Sequence, residues 1–458
     1  MQLFTADWIH LGGELRAGQA LLVDDAGRIA AAGPQAAVEA APGAAGAARV
    51  ALSGRALLPG TITAHSHCFQ VLLRGSGDHP QGFRDWVRGH LYPLVERLDE
   101  RALEAAALLC FSQMARAGIT TVGEFHYVHN RKDDYSPLGH ALASLVIRAA
   151  RRVGLRITLL RALYDVQEVR AQGRFVETPA QARESILALA SEQAGDPAVR
   201  VLPAPHSIHG ATAASIRAGM ELARELDGPW HIHLAEQKSD ARTAQQLHDL
   251  PPLLALDALG VLDRRTVLVH GIWLTEAEQA LLAEKGGGLV TNPATNMALG
   301  DGVAPLTALV RRGVKVALGT DMNAAPCVFQ ELRLAEMLQR VQALKMGLIP
   351  TARGGAPDPR LLFDMATRNG ADLLGVQAGA LEPGRWADLV ALDLSEPALL
   401  PASVRGGAAL LSGITGSCAA ELAVRESWVA GRQVLRAGEV IGLDRAELME
   451  QVRAVAGA

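Results

Sequence analysis

Short apolar runs alternate with longer amphipathic segments along the middle of the chain, from about residue 56 to residue 321. The longer segments repeat apolar side chains every three or four positions, which predicts α-helices, whereas short apolar runs predict buried strands. Eight runs are predicted as strands: Ala56–Ala64, Thr120–Tyr127, Arg156–Ala162, Arg200–Pro205, Trp230–Ala235, Thr266–His270, Gly288–Thr291 and Val314–Asp321. Helices are predicted between them, among others over Arg101–Ala117, Ala180–Glu192, Ala213–Leu226, Thr275–Glu284 and Pro305–Arg312.

This alternation defines the fold class that we expect. Eight strands that alternate with helices predict an α/β protein with a (β/α)8 TIM barrel. An open, doubly wound sheet is the alternative, but no Gly-x-Gly-x-x-Gly motif follows the first predicted strand.

Both ends of the chain have a different pattern, in which short apolar segments flank tight turns. The segment Gly18–Gly33 contains Asp25-Ala26-Gly27 between two apolar stretches, and Val424–Val440 contains Ala430-Gly431. Such patterns indicate β-hairpins, so we expect a small β domain built from both termini. The predicted divisions are residues 1–56 for its first part, 57–377 for the barrel, and 378–458 for its second part with a C-terminal helix.

Composition and charge narrow the classes of function. The 458 residues are 49% hydrophobic and 20% charged, which is typical of a globular protein with a large core. A net charge of -4 gives no basic field for nucleic acid, and no apolar run is long enough to span a bilayer. The 4 cysteines lack paired spacing, and no signal-peptide pattern is visible. We therefore expect a cytoplasmic protein without a nucleic-acid or membrane partner.

Histidine and acidic residues gather at the predicted carboxyl ends of strands, where barrel enzymes carry their function. His65 and His67 end the first strand and point to the same face, His233 lies in the fifth strand, and Asp321 ends the eighth. Three imidazoles and a carboxylate predict a divalent metal site that activates water for hydrolysis. No lysine able to bridge a second ion occurs in residues 200–209, so one metal ion is expected.

Two further residues at strand ends have the chemistry for proton transfer. Glu236 is predicted to carry a proton from water to a leaving nitrogen, and His270 to orient or polarise the substrate or the water. Simpler alternatives stay open at this stage: His233 as a packed core histidine, Asp321 as a helix N-cap, and the His65–His67 pair as a chance match.

Five stretches resemble the amidohydrolase superfamily, in particular its cytosine/guanine deaminase and chlorohydrolase-like branch: "LPGTITAHSH", "HIHLAEQ", "LVHG", "NPATNMALGDGVAPLTALVRRGVKVALGTDMN" and "LEPGRWADLVALD". The resemblance spans nearly the whole chain. It implies a distorted (β/α)8 barrel with a composite β-sandwich from both termini, and one zinc ion, with iron as the alternative. It implies Glu236 as proton shuttle, His270 as hydrogen-bond partner of substrate or water, and Asp321 as acceptor of the water proton. The metal ligands that it implies are His65, His67, His233 and Asp321.

Within this superfamily, the motifs "HSHCFQVLLRG", "VRGHLYPLVERL", "EFHYVHN", "APHSIHG" and "LGDG" are most similar to the N-formimidoyl-L-glutamate deiminase family. That resemblance implies substrate contacts by Gln70, Arg88 and Tyr127. His206 and His209 in "APHSIHG" are predicted contacts as well. His209 departs from the family pattern, which has an arginine there, and a histidine is a poorer partner for a carboxylate. For Arg88, a solvated position on an amphipathic helix is the alternative.

The predicted function is metal-dependent hydrolysis of an amidine-type C=N carbon with release of ammonia. The first predicted substrate is formimidoylglutamate or a close amidine relative, and the alternative is a heterocycle such as a purine, pterin or triazine. Only 6 Trp and 4 Tyr occur, so a richly aromatic pocket is not expected, although Phe69, Trp86, Phe125 and Trp273 are candidates for stacking. A non-catalytic barrel is disfavoured because every expected ligand position is filled. The sequence leaves the oligomeric state open, with a homodimer as one candidate.

Overall fold

The computed structural model describes residues 1–79 and 81–456. The first strands are β1 (Gln2–Leu11), β2 (Glu14–Arg16), β3 (Gln19–Val23), β4 (Ile29–Pro34) and β5 (Ala48–Pro59). The middle strands are β6 (Thr61–Ser66), β7 (Ile119–His126), β8 (Arg156–Leu163), β9 (Val199–Pro205), β10 (Trp230–Leu234), β11 (Thr266–His270), β12 (Gly288–Thr291) and β13 (Lys315–Leu318). The last strands are β14 (Leu389–Asp393), β15 (Val424–Val429), β16 (Arg432–Arg436) and β17 (Glu439–Val440).

The middle strands β6 to β13 run parallel in the order of the chain. The first four form one sheet and the last four form a second. The two sheets meet at both edges, through a parallel bridge between Ser207 and His233 on one side and between Ser66 and Asp321 on the other. These bridges close the strands into a ring, and the predicted barrel class is confirmed.

Helices alternate with these strands, and the five helices predicted from periodicity are confirmed to within one residue at each end. The helices are α1 (Gln35–Glu39), α2 (Phe83–Trp86), α3 (Tyr92–Arg97), α4 (Glu100–Arg116), α5 (Ala141–Val153), α6 (Pro179–Gln193), α7 (Ala213–Glu225), α8 (Lys238–His248), α9 (Pro252–Ala258), α10 (Glu276–Lys285), α11 (Pro293–Leu299), α12 (Leu306–Arg311), α13 (Val328–Ala343), α14 (Arg360–Met365), α15 (Arg368–Leu373), α16 (Gly407–Gly416) and α17 (Arg445–Ala456). Over the described residues, none of the helices has the length and apolar character needed to cross a membrane.

The predicted strand Ala56–Ala64 is wrong as a single element. β5 ends at Pro59 and β6 begins at Thr61, and the two strands belong to different sheets. Gly60 separates them, and a Cβ at that position would lie 2.1 Å from Thr120 Oγ1, so only glycine fits this crossing. The apolar run is continuous because both strands are buried where they meet, and this hides the change of sheet from the pattern.

Strands from both ends of the chain form one sheet, in the order β17-β16-β15-β14-β5-β1-β3-β4, with β2 paired to β1. We call it the terminal sheet. The predicted hairpins are confirmed as the antiparallel pairs β3–β4 and β15–β16. β5 stays in this sheet up to Pro59, past the predicted domain boundary at residue 56. The rings of Phe4 on β1 and Trp428 on β15 pack edge to face, 5.4 Å between centroids, although β5 and β14 separate their strands. The terminal sheet therefore folds over an apolar interior of its own.

A buried ion pair joins the terminal sheet to the barrel. Arg156, at the start of β8, donates from Nε to Asp388 Oδ2 at 2.7 Å, and Asp388 precedes β14. The terminal sheet thus contacts the amino end of this barrel strand. The carboxyl ends of the barrel strands, at the other face, are where the polar residues singled out above are found.

Candidate active site

The four predicted metal ligands lie together at the carboxyl ends of their strands, and we call them the ligand cluster. His65 Nε2 lies 3.2 Å from His233 Nε2. Asp321 Oδ1 lies 3.6 Å from His65 Nε2 and 3.5 Å from His67 Nε2. Ligand nitrogens of the three histidines lie within 4.8 Å of one another. The first, fifth and eighth barrel strands therefore contribute to one site.

Hydrogen bonds behind two of the rings turn their lone pairs into the ligand cluster. His67 Nδ1 donates to Phe125 O at 2.8 Å and His233 Nδ1 donates to His206 O at 2.9 Å, because a carbonyl oxygen can only accept. Each Nε2 is then a bare lone pair, and that of His67 faces a carboxylate oxygen of Asp321, which also only accepts. Two facing acceptors are stabilised by a cation between them, so these residues fit a divalent ion.

Burial favours the neutral form of the three imidazoles. It lowers the pKa of His65 and of His233 well below the usual range. It also lowers the pKa of His67, although the charge of Asp321 opposes that shift. Neutral imidazole is the form that binds a metal ion, so the protonation states agree with the geometry.

Three residues at strand ends have a left-handed backbone. The φ angles are 54° at Ala235 after β10, 75° at His270 at the end of β11 and 45° at Asp321 after β13. Such angles are uncommon outside glycine and cluster where a fold is strained for function. Each of these residues makes a sharp turn at the end of its strand, and all three turns lie at the ligand cluster or next to it.

Glu236 and His270 lie beside the ligand cluster. His270 Nε2 is 3.7 Å from Glu236 Oε1 and 3.8 Å from Asp321 Oδ2. Burial raises the pKa of Glu236 well above its usual range, and the charges of Asp301 and Asp321 add to the shift. Burial lowers the pKa of His270 to about 4, against the opposing charge of Asp321. Both shifts favour the neutral forms, a carboxylic acid beside a neutral imidazole, and such a pair is suited to proton transfer.

A cavity of about 360 Å³ opens above these groups. The five predicted substrate contacts all line it: Gln70, Arg88, Tyr127, His206 and His209. Gln70 Nε2 donates to Tyr127 Oη at 2.9 Å, which fixes the amide. Gln70 Oε1 is buried without a hydrogen-bond partner in the described part of the chain, and so can accept a hydrogen bond from a ligand.

Charged groups of both signs lie on the exposed side of the cavity. Three residues of the cavity lining are exposed, namely Arg84, Arg88 and Glu168. Arg88 is therefore both solvated and part of the cavity wall. Desolvation at the cavity wall lowers the pKa of His209, although this residue is exposed, and the charges of Asp240 and Glu168 oppose that shift. The position where the resemblance places a carboxylate-binding arginine therefore has a histidine near two acidic groups.

Aromatic side chains line the cavity, and the expectation of a wall poor in them is wrong. Those in the wall are Tyr92, Tyr127, Tyr164, Phe83, Trp86 and Phe175. Of the four predicted candidates only Trp86 contributes, whereas Phe69 and Phe125 are buried behind the wall and Trp273 lies outside it. The fold gathers aromatic residues that are far apart in the sequence, which composition cannot indicate.

The sequence reasoning missed a buried carboxylate behind the ligand cluster. Glu124 on β7 accepts hydrogen bonds from Ser66 Oγ at 2.6 Å and from Cys68 N at 2.7 Å. Glu124 thus accepts hydrogen bonds from the residues that precede and follow His67 in the sequence. The "EFHYVHN" stretch contained the signal, since it places an acidic residue at the end of a buried strand without another role.

Asp301 was missed as well. It comes from the "LGDG" stretch, is 2% exposed, and has a carboxylate oxygen within 4.8 Å of ligand atoms of both Glu236 and His270. Periodicity gave it no assignment because it lies in a loop after α11.

A closed ring of parallel strands, with three imidazoles, a carboxylate and a buried carboxylic acid at the strand ends, defines a metal-dependent hydrolase barrel. The chain belongs to the amidohydrolase family, whose model matches residues 56–432. The resemblance is confirmed, and so is the class of enzyme, a hydrolase of carbon–nitrogen bonds other than peptide bonds.

Curated relatives act in deamination and deimination. The chain is 34% identical over 406 residues to a formimidoylglutamate deiminase of Pseudomonas aeruginosa, covering 86% of this chain and 87% of the relative. It is 32% identical over 353 residues to a 5'-deoxyadenosine deaminase of Methanothermobacter thermautotrophicus, covering 76% of each. The two relatives share the reaction class but differ in substrate.

Solved structures agree on the fold. An adenosine deaminase from Xanthomonas campestris with bound zinc superposes with a TM-score of 0.84 at 27% identity, covering 100% of this chain and 98% of the relative. The atrazine chlorohydrolase of Arthrobacter aurescens has a TM-score of 0.85 at 20% identity over 100% of both chains, and supports the fold alone. Zinc in the first relative agrees with the expected ion.

Proposed function

We propose that this chain hydrolyses an amidine-type C=N carbon and releases ammonia, with one divalent ion held by the ligand cluster. The observation that carries the proposal is the convergence of the ligand cluster, Glu236 and His270 on the floor of one cavity. Zinc, or iron in its place, lowers the pKa of a water towards neutrality and polarises the substrate, which is the chemistry that the ion supplies.

Three side chains handle the protons in this proposal. Asp321 accepts one proton from the attacking water as the C–O bond forms. Glu236 starts as a carboxylic acid, because burial and two nearby acidic groups raise its pKa, and gives its proton to the C=N nitrogen. When the C–N bond breaks, the nitrogen takes the proton held by Asp321 and leaves as ammonia, and the new hydroxyl group returns a proton to Glu236 as it becomes the carbonyl. His270 donates a hydrogen bond from Nε2 to the substrate as charge develops on it.

The first substrate that we propose is formimidoylglutamate or a close amidine relative. Gln70, Arg88 and Tyr127 line the cavity in support of this, and a formimidoylglutamate deiminase is among the relatives. His209 supports a substrate whose end farthest from the C=N carbon differs from that of formimidoylglutamate, because the nearby charges of Asp240 and Glu168 disfavour a second carboxylate there.

A heterocyclic substrate is the second candidate, and the aromatic wall favours it. Tyr92, Tyr164 and Phe175 line the cavity, and flat rings stack on such surfaces. Relatives named as deaminases of adenosine-type compounds agree with this alternative.

A substrate panel tests the two candidates. Ammonia release is measured for the zinc-loaded enzyme with N-formimidoyl-L-glutamate, N-formimidoylglycine, formamidine, 5'-deoxyadenosine, a pterin and an aminotriazine. We expect kcat/KM to be highest for a formimidoylated amino acid. Turnover of heterocycles alone would replace the first candidate by the second, and no turnover of any compound would contradict the proposed reaction.

Metal analysis tests the third alternative, a barrel without catalysis. We expect about one tightly held divalent ion per chain after expression in metal-replete medium, measured by plasma mass spectrometry of the dialysed protein. The His233→Ala variant should lose both the ion and turnover. A wild type that holds no ion would remove the proposed mechanism.

We also propose that the enzyme works in the cytoplasm as a homodimer. The 4 cysteines are all free and buried, which agrees with a reducing compartment. Leu344 is 90% exposed and Met346 is 84% exposed just beyond α13, and such an apolar patch supports contact with a second copy. Light scattering on the wild type and on Leu344→Asp would test this, and a monomeric wild type would contradict the dimer.

A further inference from the structure

Asp301 is a buried carboxylate behind Glu236 and His270. Its Oδ1 accepts a hydrogen bond from Gln237 Nε2, and its Oδ2 accepts one from Asn296 Nδ2 at 3.0 Å. Its backbone is fixed too, because Asp301 N donates to Asn296 O at 3.0 Å and Trp273 Nε1 donates to Asp301 O at 3.0 Å. Asp301 does not line the cavity, so its influence on a substrate has to pass through a neighbour.

The neighbour is Asn296, whose orientation Asp301 determines. Oδ2 of the ionised Asp301 carboxylate can only accept, so Asn296 turns its NH2 group, and not its oxygen, towards it. The same Nδ2 atom lies 3.1 Å from His270 Nδ1. One hydrogen of the amide therefore points to Asp301 and the other points to His270.

The hydrogen bond to His270 decides where its proton sits. A ring nitrogen that accepts from Asn296 carries no hydrogen, so the proton of the neutral imidazole lies on Nε2. Asn292 alone would not decide this, because its Nδ2 is 3.3 Å from the same nitrogen while its Oδ1 has no partner among the described residues. If the Asn292 amide rotated by 180°, its oxygen would accept from a protonated Nδ1, so Asn292 is compatible with either tautomer.

His270 therefore differs from the histidines of the ligand cluster. His67 and His233 donate from Nδ1 to carbonyl oxygens and offer a bare Nε2. His270 accepts at Nδ1 and carries its hydrogen on Nε2, the nitrogen that faces Glu236 and Asp321. A carbonyl acceptor behind the ring leaves Nε2 bare and able to bind a metal ion, whereas an amide donor behind the ring leaves Nε2 protonated and able to donate.

We propose that Asp301 is a positioning residue which, through Asn296, holds His270 as the Nε2–H tautomer at the floor of the cavity. The contact of Nε2–H with a substrate rests on the proposed function, whereas the tautomer itself does not. The Asn296 amide donates to both of its neighbours, the Asp301 carboxylate and His270 Nδ1. Reversing position 296 from a donor to an acceptor should therefore move the proton to Nδ1.

An exchange of the two side chains makes that reversal at constant composition and charge. In the double variant Asn296→Asp/Asp301→Asn, the new amide at 301 can donate to the new carboxylate at 296. That carboxylate faces His270 Nδ1 and can only accept, so Nδ1 should gain a hydrogen. The single variant Gln237→Leu is the matched control, because it removes the hydrogen bond to Oδ1 and leaves the contact with Asn296.

The measurement is long-range 1H–15N correlation of the zinc-loaded protein labelled with 15N-histidine, with His270 assigned by its loss in His270→Gln. We expect Nδ1 of the wild type and of Gln237→Leu to resonate as unprotonated nitrogen, and Nδ1 of the exchanged variant as protonated nitrogen. We also expect kcat of the exchanged variant to fall on the order of 100-fold at unchanged zinc content. A role in folding alone would leave the nitrogen shift unmoved.

A protonated Nδ1 in the wild type would overturn the proposal, and this result needs no variant to fold. An unprotonated Nδ1 in the exchanged variant would overturn it as well. Failure of the proposed function gives a different result: no compound of the panel would be turned over, while the nitrogen shifts would still report the tautomer.

Discussion

Glu236 carries a carboxyl group to the floor of the cavity, 3.7 Å from His270 Nε2. Burial and the charges of Asp301 and Asp321 raise its pKa, which favours the protonated form. In the proposed mechanism this proton goes to the departing nitrogen. The side chain is not part of the ligand cluster, which separates its effect on turnover from an effect on metal binding.

Replacement of Glu236 by Gln should therefore abolish proton transfer and spare the metal. We expect kcat to fall by about 10²–10⁴-fold, the usual contribution of a general acid, at unchanged zinc content. Steady-state kinetics and plasma mass spectrometry measure the two quantities. Glu104→Gln, at an exposed position on α4, controls for loss of a charge. Retained turnover in Glu236→Gln would remove Glu236 from its role.

His209 offers a test of the far end of the substrate. An arginine there would supply a bidentate partner for a carboxylate, worth roughly 1.5–3 kcal/mol as a charge-assisted hydrogen bond. We expect His209→Arg to lower KM for N-formimidoyl-L-glutamate by on the order of 10-fold and to leave formamidine unchanged. Equal effects on the two substrates would show that the new guanidinium does not contact the carboxylate.

At the scale of elements, the ligand cluster depends on how β6 and β7 are joined. Glu124 on β7 receives hydrogen bonds from Ser66 and Cys68, the residues on either side of His67. The end of β6 and the residues that follow it are thereby held to the neighbouring strand on either side of His67. Outer groups of this kind orient metal ligands and tune their affinity.

Removal of this carboxylate should weaken zinc binding without touching a ligand. We expect Glu124→Leu to lower zinc affinity by about 10–100-fold, because two buried donors lose their acceptor and His67 is no longer held. Glu124→Gln keeps one acceptor oxygen and should lose less. Competition with a chromophoric chelator gives the affinities. Equal affinity in Glu124→Leu and the wild type would show that β6 positions His67 unaided.

The elements also show what the sequence could and could not predict. Alternation along a strand correctly placed His65 and His67 on one face, and periodicity found the barrel strands, because burial leaves a local signature. The break between β5 and β6 at Gly60 left no such signature, because apolar residues continue on both sides of it. Asp301 and the aromatic wall escaped because loop geometry, which brings them to the site, depends on contacts between distant segments.

At the scale of the whole molecule, Arg156 and Asp388 connect the barrel to the terminal sheet. The guanidinium donates from Nε to Oδ2 at 2.7 Å and from Nη2 to Oδ1 at 3.1 Å, and Oδ1 also accepts from Ala430 N at 2.7 Å. The side chains are 2% and 1% exposed. Loss of one partner leaves the other charge buried and unpaired.

Arg156→Met should therefore destabilise the fold by roughly 3–5 kcal/mol, and Arg156→Met/Asp388→Leu should recover part of that loss. Thermal unfolding of the wild type, both single variants and the double variant gives the coupling free energy of the pair by a double-mutant cycle. Because the pair lies at the amino end of β8, kcat/KM at 25 °C should stay at the wild-type value. Additive effects of the two substitutions would contradict a coupled pair.

Stability should also depend on pH through Glu331 of α13, which is 1% exposed. Burial raises the pKa of this carboxyl from 4.5 to about 8, although the hydrogen bond from Ala294 N opposes the shift. The folded chain then binds more protons than the unfolded chain between these values, so the free energy of unfolding falls as pH rises through that window. The slope from one such group is about 1.4 kcal/mol per pH unit.

Replacement of Glu331 by Gln removes the titrating group and keeps an oxygen to accept from Ala294 N. We expect the variant to lose less stability than the wild type between pH 5.5 and pH 7.5, with a difference on the order of 2 kcal/mol. Thermal unfolding at the two pH values measures it, with Glu104→Gln as the control for an exposed carboxyl on α4. Parallel pH dependence in the wild type and Glu331→Gln would show that Glu331 is ionised at the lower pH and that the burial of its charge is offset elsewhere in the fold.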